Sequence, residues 1–281
     1  MADYWPAPAK LNLFLHVLGR RTDGYHELQT LFQLLDWGDA VRIQALDRPE
    51  ITRIGASYSV PESEDLALRA ARLLQAETGC RRGAEIEVRK QIPMGAGMGG
   101  GSSDAATVLV VLNSHWGCRL SREELASIGA RLGADVPLFV QGRSAIGTGR
   151  GDQLQPVRLG ERHYVLVFPD FAVATTELFA AEDLPRDTAP ITTEQALAGL
   201  GRNDFEPLVR QRHSQFAGLM QELSHWGRPV MTGTGSGIFI VMRDEMTAKR
   251  AAAEMKCRYN VRAVTGVDGS PLHQALHIDG E

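Results

Sequence analysis

The sequence contains little cysteine, and the cysteines it has stand far apart. Cys80, Cys118 and Cys257 are its three cysteines, and they form no Cys-x-x-Cys pair. This usage argues against a small disulfide-stabilised secreted domain and against a structural zinc site. It is typical of a protein from a reducing compartment.

The sequence also lacks long apolar runs and a strong excess of either charge. Apolar runs such as residues 108–112 are far shorter than the roughly 20 residues of a membrane-spanning helix. The N-terminus has neither a positively charged segment nor a continuous apolar one, so we expect no signal peptide. The net charge is −4, and basic runs do not exceed pairs such as Arg20-Arg21. We therefore expect a cytoplasmic protein that binds neither nucleic acid nor a membrane, while its oligomeric state stays open.

Both halves of the chain alternate between strand and helix patterns. Residues 11–17 alternate apolar and polar side chains, and residues 65–77 carry an apolar stripe at helical spacing. Ser121 and Glu124 form a capping box that predicts a helix ending near Leu132. Further predicted strands are 28–35, 41–45, 51–54, 85–90, 164–168, 238–242 and 261–264, and further predicted helices are 193–200, 205–223 and 245–256. The pattern predicts an α+β fold with two domains, residues 1–160 and 161–281.

The most informative segment is rich in glycine and covers residues 93–103, which we call the glycine segment. It is followed by an apolar run over residues 105–112 that predicts a helix. Glycine leaves backbone N–H groups uncovered and permits positive φ, and a helix N-terminus adds free N–H groups and a positive dipole end. The segment therefore predicts a phosphate-binding loop.

Three other interpretations compete for these glycines. Gly95, Gly97 and Gly100 match a dinucleotide fingerprint, but the preceding strand is half exposed and the acidic residue expected about 20 positions later is absent. A P-loop would need a lysine where Gly101 stands. A plain turn needs only one or two glycines, and ordering more of them costs backbone entropy. An NAD-dependent oxidoreductase that uses Gly95–Gly100 remains an alternative of a different class.

Three motifs in order resemble those of the galactokinase, homoserine kinase, mevalonate kinase and phosphomevalonate kinase (GHMP) superfamily. They are Pro-Ala-Lys-Leu-Asn-Leu at 8–13, the glycine segment, and Thr-Gly-Thr-Gly-Ser-Gly at 232–237. Residues 24–28 and 132–137 further resemble the members that act on 4-diphosphocytidyl-2-C-methyl-D-erythritol. The resemblance implies an N-terminal domain like domain 2 of ribosomal protein S5 and a C-terminal ferredoxin-like α/β sandwich. It also implies phosphorylation of the acceptor's 2-hydroxyl in the non-mevalonate route to isoprenoids.

The resemblance assigns ATP, with Mg²⁺ carried by the nucleotide, to the glycine segment. Asp135 matches the catalytic base of the superfamily, and Lys10 matches the lysine that pairs with it. Without the resemblance, the position of Asp135 before Val136-Pro137 is typical of a helix N-cap. Lys10 alone is typical of a solvated strand end. The implied ATP-binding residues are Pro93, Met94, Gly95, Ala96, Gly97, Met98, Gly99, Gly100, Gly101, Ser102 and Ser103, with Ser102 or Ser103 near Mg²⁺.

The resemblance also implies how the acceptor is held. Tyr25 would stack on the cytosine, His26 would hydrogen-bond it, and Phe179 would cover the opposite face. Asn12 and Thr175 complete the implied acceptor-binding residues. Without the resemblance, Tyr25 and His26 are equally typical of a hairpin and Phe179 of a core. A sister GHMP kinase with another small alcohol and a non-catalytic nucleotide sensor also remain open.

Four positions depart from the pattern of these relatives. Arg150 stands where the acceptor pocket often has a small aliphatic residue, and Asp65 stands where an asparagine often lies beside the adenine. Ser236 and Gly237 stand where glycine or alanine and then cysteine are frequent. None of these changes affects the implied catalytic pair.

Overall fold

The computed structural model describes residues 4–55, 60–171 and 173–277. In these ranges the strands are β1 (Tyr4–Arg20), β2 (His26–Leu46), β3 (Ile51–Arg53), β4 (Gly83–Arg89), β5 (Ala145–Thr148), β6 (Gln153–Pro156), β7 (Arg162–Phe168), β8 (Pro229–Met231), β9 (Ile238–Met242) and β10 (Asn260–Val267). The helices are α1 (Leu66–Thr78), α2 (Gly100–Trp116), α3 (Arg122–Ala130), α4 (Val136–Gln141), α5 (Thr175–Ala180), α6 (Thr193–Leu197), α7 (Glu206–Arg212), α8 (Ser214–Leu223), α9 (Glu245–Met255) and α10 (Pro271–Ala275). None of the helices within the described ranges combines the length and apolar character needed to cross a bilayer.

The strands form one mixed sheet in the order β3-β4-β2-β10-β7-β9-β8, with β1, β5 and β6 attached on the side of β2. The 21-residue strand β2 organises the first half, because it pairs antiparallel with β1, β4 and β5. Strand β10 joins the halves, through the pairs Gly266↔Leu35 and Val267↔Leu34. The sheet is therefore continuous past Gly160, and the domain boundary expected there stays a prediction.

The structure confirms some predicted elements and corrects others. Strand β9 has the predicted bounds, and the capping box of Ser121 and Glu124 begins α3, which ends at Ala130 rather than near Leu132. The two strands predicted at 28–35 and 41–45 are one strand, β2. At Gly38 an added Cβ would lie 2.0 Å from the Ala7 carbonyl oxygen, so glycine there lets β1 and β2 stay paired.

The helix predicted over residues 205–223 was also wrong as a single element. His213 has φ −126° and ψ 89°, outside the helical region, so α7 ends and α8 begins on either side of it. The short elements β5, β6, β8, α5 and α10 were not predicted, because three to six residues carry too little periodicity to be recognised.

Buried side chains join the glycine segment to both halves of the sheet. Met98 is 1% exposed and belongs to a cluster that includes Leu11 of β1, Leu35 of β2, Tyr164 of β7 and Phe239 of β9. Burying a side chain of this size contributes about 1.5–3 kcal/mol. Met98 therefore anchors the middle of the glycine segment in the core, beside the first strand.

Candidate active site

The glycine segment takes a backbone shape that other residues adopt only at a cost. Gly95, Gly97 and Gly99 have φ of 73°, 69° and 73°, in the left-handed region. Gly99 is the N-cap of α2, and no side chain of the described residues caps this helix. The first N–H groups of α2 therefore have no partner inside the helix and are available to an anion.

A second glycine loop, residues 232–237, packs directly against the glycine segment. A Cβ added to Gly97 would lie 2.4 Å from the Thr232 carbonyl oxygen, and one added to Gly237 would lie 2.4 Å from that of Ala96. The Ser236 N–H donates to the Gly95 carbonyl oxygen at 3.1 Å. The second loop thus fixes the conformation of the first.

A cavity of about 310 Å³ lies between the glycine segment, the start of β1 and β2, and α5. The structure brings together in its lining the predicted residues Lys10, Asn12, Gly97, Gly99, Ser102, Asp135, Thr175 and Phe179. Pro93, Met94 and Ala96 instead line a neighbouring cavity of about 240 Å³. Of the two serines expected near the metal, Ser102 lines the first cavity and Ser103 is fully buried.

Lys10 and Asp135 form an ion pair in this cavity. The Lys10 Nζ lies 3.3 Å from Asp135 Oδ2 and donates to Asn12 Oδ1 at 2.5 Å. The lysine side chain is 4% exposed and the aspartate side chain 30% exposed. The lysine is therefore held inside the protein, while the carboxylate still reaches the open part of the cavity.

The N-cap interpretation of Asp135 holds for its backbone but not for its side chain. Asp135 immediately precedes α4, and its φ of −84° and ψ of −13° are helical. Its carboxylate makes no capping hydrogen bond to the described residues, and Pro137 fills the first turn without needing a partner for its nitrogen. The Asp135 carboxylate therefore contacts Lys10 and is accessible to a ligand bound in the cavity.

Asn12 connects Lys10 to the surrounding strands. Its Nδ2 donates to Thr30 Oγ1 at 2.8 Å, and its backbone N–H donates to Thr232 Oγ1 at 2.8 Å. Its Oδ1 already accepts from Lys10, so both ends of the amide are engaged. Asn12 lines the cavity as predicted, and its present contacts position Lys10.

At the other end of the cavity, His26 and Phe179 are in contact. Their ring centroids are 5.1 Å apart, and Phe179 also packs edge-on against Phe205 at 4.8 Å. His26 Nε2 accepts from Arg186 Nε at 3.1 Å. Burial, with help from the positive charge of Arg186, lowers the pKa of His26, so the ring is neutral near pH 7.

Tyr25 and Thr175 flank this pair. The Tyr25 side chain is 56% exposed and lies beside Arg150, whose guanidinium carbon is 5.1 Å from the ring centroid. Thr175 begins α5, and its hydroxyl shares a 2.8 Å hydrogen bond with that of Thr234 in the second glycine loop. Tyr25 and His26 do not line the 310 Å³ cavity themselves but border it through Arg150 and Phe179.

Sequence reasoning missed a buried charged cluster behind the glycine segment. Lys90 Nζ donates to Asp39 and, at 2.8 Å, to Asp104 Oδ2. The other oxygen of Asp39 accepts from the backbone N–H groups of Gln91 and Ile92 at 2.5 and 2.8 Å. Burial, reinforced by the charge of Asp39 and opposed by Lys90, raises the pKa of Asp104 to about 7. No pattern in the sequence links these three residues.

Asp65 has a structural role in this fold. One carboxylate oxygen caps α1 by accepting from the Ala67 N–H at 2.9 Å, and the other lies 3.4 Å from Arg53 Nη1. Gly79, with a left-handed backbone, ends the same helix. The carboxylate at position 65 is therefore engaged within the protein.

Comparison with known proteins agrees with this geometry. Residues 65–143 match the family described as the GHMP kinases N terminal domain. A 4-diphosphocytidyl-2-C-methyl-D-erythritol kinase of Xanthomonas oryzae pv. oryzae is 50% identical over 273 residues, which are 96% of this chain and 92% of that protein. One of Halorhodospira halophila is 48% identical over 97% of this chain and 96% of that protein.

A solved structure gives the same result. A crystal structure of 4-(cytidine 5'-diphospho)-2C-methyl-D-erythritol kinase superposes with a TM-score of 0.82, at 33% identity over 96% of this chain and 100% of that one. The GHMP kinase fold expected from the sequence is confirmed, and the oxidoreductase alternative is set aside. The chain belongs to the 4-diphosphocytidyl-2-C-methyl-D-erythritol kinase family of the GHMP kinases.

Proposed function

We propose that this protein transfers the γ-phosphoryl group of ATP to the 2-hydroxyl of 4-diphosphocytidyl-2-C-methyl-D-erythritol, in the cytoplasm, in the non-mevalonate route to isoprenoids. The observation that carries the proposal is the ion pair of Lys10 and Asp135 at 3.3 Å. It lies in a cavity that also touches Gly97 and Gly99 on the nucleotide side and Phe179 on the acceptor side. The proposed base Asp135, the glycines proposed to bind phosphate and the aromatic residue Phe179 therefore line the same cavity.

The glycine segment is suited to the phosphates of ATP. Its left-handed glycines and the free N–H groups at the start of α2 form a cradle without side chains. A side chain at Gly99 would come within 2.9 Å of the Phe139 ring, so the backbone already fits tightly against the core. The cradle is thus held in place before the nucleotide binds, which favours phosphoryl transfer by positioning.

We propose that Mg²⁺ enters with the ATP phosphates. Within the described residues, no three His, Cys, Asp or Glu side chains come together as a ligand set for a metal ion. Ser102 lines the cavity together with Gly99, and its hydroxyl would be the group of this chain that helps to hold the ion. When bound, Mg²⁺ would neutralise charge on the transferring phosphoryl group.

Asp135 would act as the base. Its carboxylate accepts the proton of the acceptor's 2-hydroxyl while that oxygen bonds to the γ-phosphorus, the bond to the β-phosphate oxygen breaks and ADP leaves. Lys10 holds the carboxylate in place through the ion pair. Asn12 holds Lys10 in turn and is itself held by Thr30, so the protein fixes the geometry of the pair.

Tyr25, His26 and Phe179 would recognise the cytosine. Because His26 Nε2 accepts a hydrogen bond from Arg186, the neutral ring carries its proton on Nδ1. That N–H is a donor suited to the acceptor atoms O2 and N3 of cytosine. Phe179, fixed by Phe205, offers an apolar face for stacking, which contributes about 1–3 kcal/mol per base.

The test is ADP release from Mg·ATP with the cytidine-linked acceptor, beside homoserine, mevalonate and galactose. We expect release with the cytidine compound alone and a loss of about 10²–10⁴-fold in kcat for Asp135→Asn. Asp244→Asn is a matched control, because Asp244 is also an N-cap residue and lies at the start of α9, outside the cavity.

Each other outcome would point elsewhere. Release with homoserine, mevalonate or galactose instead would make the protein a sister kinase and remove the cytosine contacts from the proposal. Binding of ATP with no turnover of any acceptor would indicate a nucleotide sensor. Full activity of Asp135→Asn would show that another group accepts the proton.

A further inference from the structure

Arg150 lies in the turn between β5 and β6, and strand pairing brings this turn to the beginning of β2. Thr30 of β2 pairs with Gly147 of β5, and the Leu28 N–H donates to the Gly149 carbonyl oxygen at 2.7 Å. Because this pairing is antiparallel, moving forward to Arg150 means moving back along β2 toward residues 25 and 26. Arg150 therefore lies at the cytosine end of the cavity.

The guanidinium of Arg150 is held on two sides. Its Nε and Nη2 donate to Asp152 Oδ2 at 3.1 and 2.8 Å, and its backbone N–H donates to Asp152 Oδ1 at 3.1 Å. Its face lies over the Tyr25 ring, with 5.1 Å between the guanidinium carbon and the ring centroid. The side chain is still 33% exposed and lines the cavity, so an ordered cation is accessible there.

The two cations among the described residues that line the cavity differ in exposure: Arg150 is 33% exposed although it pairs with Asp152, whereas Lys10 is buried. Among the residues that line it, Lys10 and Arg150 carry positive charge. Lys10 is 4% exposed and is engaged by Asp135 and Asn12. An anionic group on the cytosine side of the Lys10–Asp135 pair would therefore be met by Arg150.

The proposed acceptor has such a group at that place. Its cytidine and its methylerythritol are joined by a diphosphate, and the two ends would contact the residues around His26 and the Lys10–Asp135 pair. On the basis of the proposed function, we infer that Arg150 binds the diphosphate of the acceptor. Asp152 and Tyr25 position the guanidinium, so little side-chain entropy is lost on binding.

Two other roles for Arg150 would have different effects on binding and kinetics when the arginine is removed. If Arg150 only supported Tyr25, its loss would weaken binding of cytidine with or without phosphates. If it contacted the transferring phosphoryl group, its loss would lower kcat and change the KM for ATP. A diphosphate contact affects only ligands that carry the diphosphate, since it adds charge-assisted hydrogen bonds to that group alone.

The experiment measures equilibrium binding of CDP-choline and of cytidine while the ATP site is saturated with a non-hydrolysable ATP analogue. CDP-choline carries the same internal diphosphate diester, and cytidine lacks it. The variants are Arg150→Met, Arg150→Lys and the control Arg158→Met, which removes an exposed arginine that lines a different cavity. Steady-state assays of the same variants give kcat and the KM values for acceptor and for ATP.

We expect Arg150→Met to weaken CDP-choline binding about 10- to 100-fold, as for loss of hydrogen bonds to a charged group, with cytidine binding unchanged. The acceptor KM should rise in proportion, with kcat and the KM for ATP nearly unchanged. Arg150→Lys keeps the charge but loses the forked geometry, so it should retain part of the preference for CDP-choline. Arg158→Met should behave as the wild type.

Equal losses for CDP-choline and cytidine in Arg150→Met, or no loss for either, would overturn the inference. The binding arm also separates this inference from the proposed function. Suppose that the wild type phosphorylates the acceptor, and that Arg150→Met still binds CDP-choline more tightly than cytidine by the same factor as the wild type. The inference about Arg150 then fails, while the proposed function stands. If the preference requires Arg150 but no acceptor is phosphorylated, the proposed reaction fails and the diphosphate contact stands.

Discussion

The ion pair of Lys10 and Asp135 leads to a quantitative prediction for the variant Lys10→Met. Methionine is close to lysine in length, so it preserves the packing of the buried stem while it removes the charge. At 3.3 Å and an effective dielectric constant of about 20, Coulomb's law gives an attraction of about 5 kcal/mol. Asp135 is 30% exposed and solvent screens part of this, so we expect about 2–4 kcal/mol of lost stabilisation.

That loss should appear in the chemical step. If a loss of this size is felt at the transition state, 2–4 kcal/mol corresponds to a decrease of about 30- to 1,000-fold in kcat. The KM for ATP should change little, because the glycine segment does not depend on the lysine charge. The assay is single-turnover phosphoryl transfer at saturating ATP and acceptor, with thermal unfolding to verify the fold.

The double variant Lys10→Met/Asp135→Asn tests whether the two residues act as a unit. If Lys10 works through Asp135, the double variant should be about as slow as the slower single variant, because the second change removes nothing further. Multiplicative losses would refute this reasoning and would mean that Lys10 acts on the substrate independently. A loss of ATP affinity alone in Lys10→Met would refute it as well.

Three further changes should each alter one measurable property: the KM for ATP, the KM for the acceptor or the stability of the fold. Gly97→Ala places a Cβ 2.4 Å from the Thr232 carbonyl oxygen at a φ of 69°, so we expect the KM for ATP to rise at least about tenfold in steady-state assays. Phe179→Leu removes a stacking surface, so the KM for the acceptor should rise about 10- to 100-fold with the KM for ATP unchanged. Asp104→Asn should stabilise the protein above pH 7, by about 1–3 kcal/mol in denaturant unfolding, because the folded protein must ionise a buried carboxyl whose pKa is raised to about 7.

Each of these three variants has its own control or contrary outcome. Gly160 has a φ of 68° and open space around an added Cβ, so Gly160→Ala measures the cost of a side chain at positive φ without a clash. If Gly97→Ala and Gly160→Ala raised the KM for ATP equally, the packing argument would be wrong. A parallel rise in both KM values for Phe179→Leu would indicate a general disturbance. For Asp104, the folded state holds its proton to higher pH than the unfolded chain, so stability should fall between about pH 4 and pH 7 in the wild type. An equal fall in Asp104→Asn would assign it to other groups.

The sequence predicted the parts of the site that short motifs encode. The shape of the glycine segment follows from glycine at positions 95, 97 and 99, and its position before α2 follows from the apolar run behind it. The closeness of Lys10 and Asp135 came from the family resemblance, because no spacing rule connects residues 125 positions apart. Their contact depends on the fold, which places Lys10 in the middle of β1 beside the start of α4.

Contacts between distant segments were not predictable in the same way. Arg186 reaches His26 across 160 residues, and Lys90 reaches Asp39 across 51. Each of these side chains alone is typical of a solvated surface, and only the folded backbone shows that they are partners. Arg150 was recognised as unusual from the sequence, but its position over Tyr25 depends on the pairing of β5 with β2.

Strand β1 explains why three motifs far apart in the sequence can act at one point. The Lys10 N–H donates to the Met98 carbonyl oxygen at 3.2 Å, and the Asn12 N–H donates to Thr232 Oγ1 at 2.8 Å. The first motif is thus hydrogen-bonded to both glycine loops, with Lys10 Nζ directed to Asp135. Because a phosphate cradle and a base must be held within fractions of an ångström, linking them through one strand fixes the distance between them. The proposed cytosine contacts, Phe179 of α5 and His26 held by Arg186, lie outside this unit, so changes there should alter acceptor affinity more than the rate of transfer.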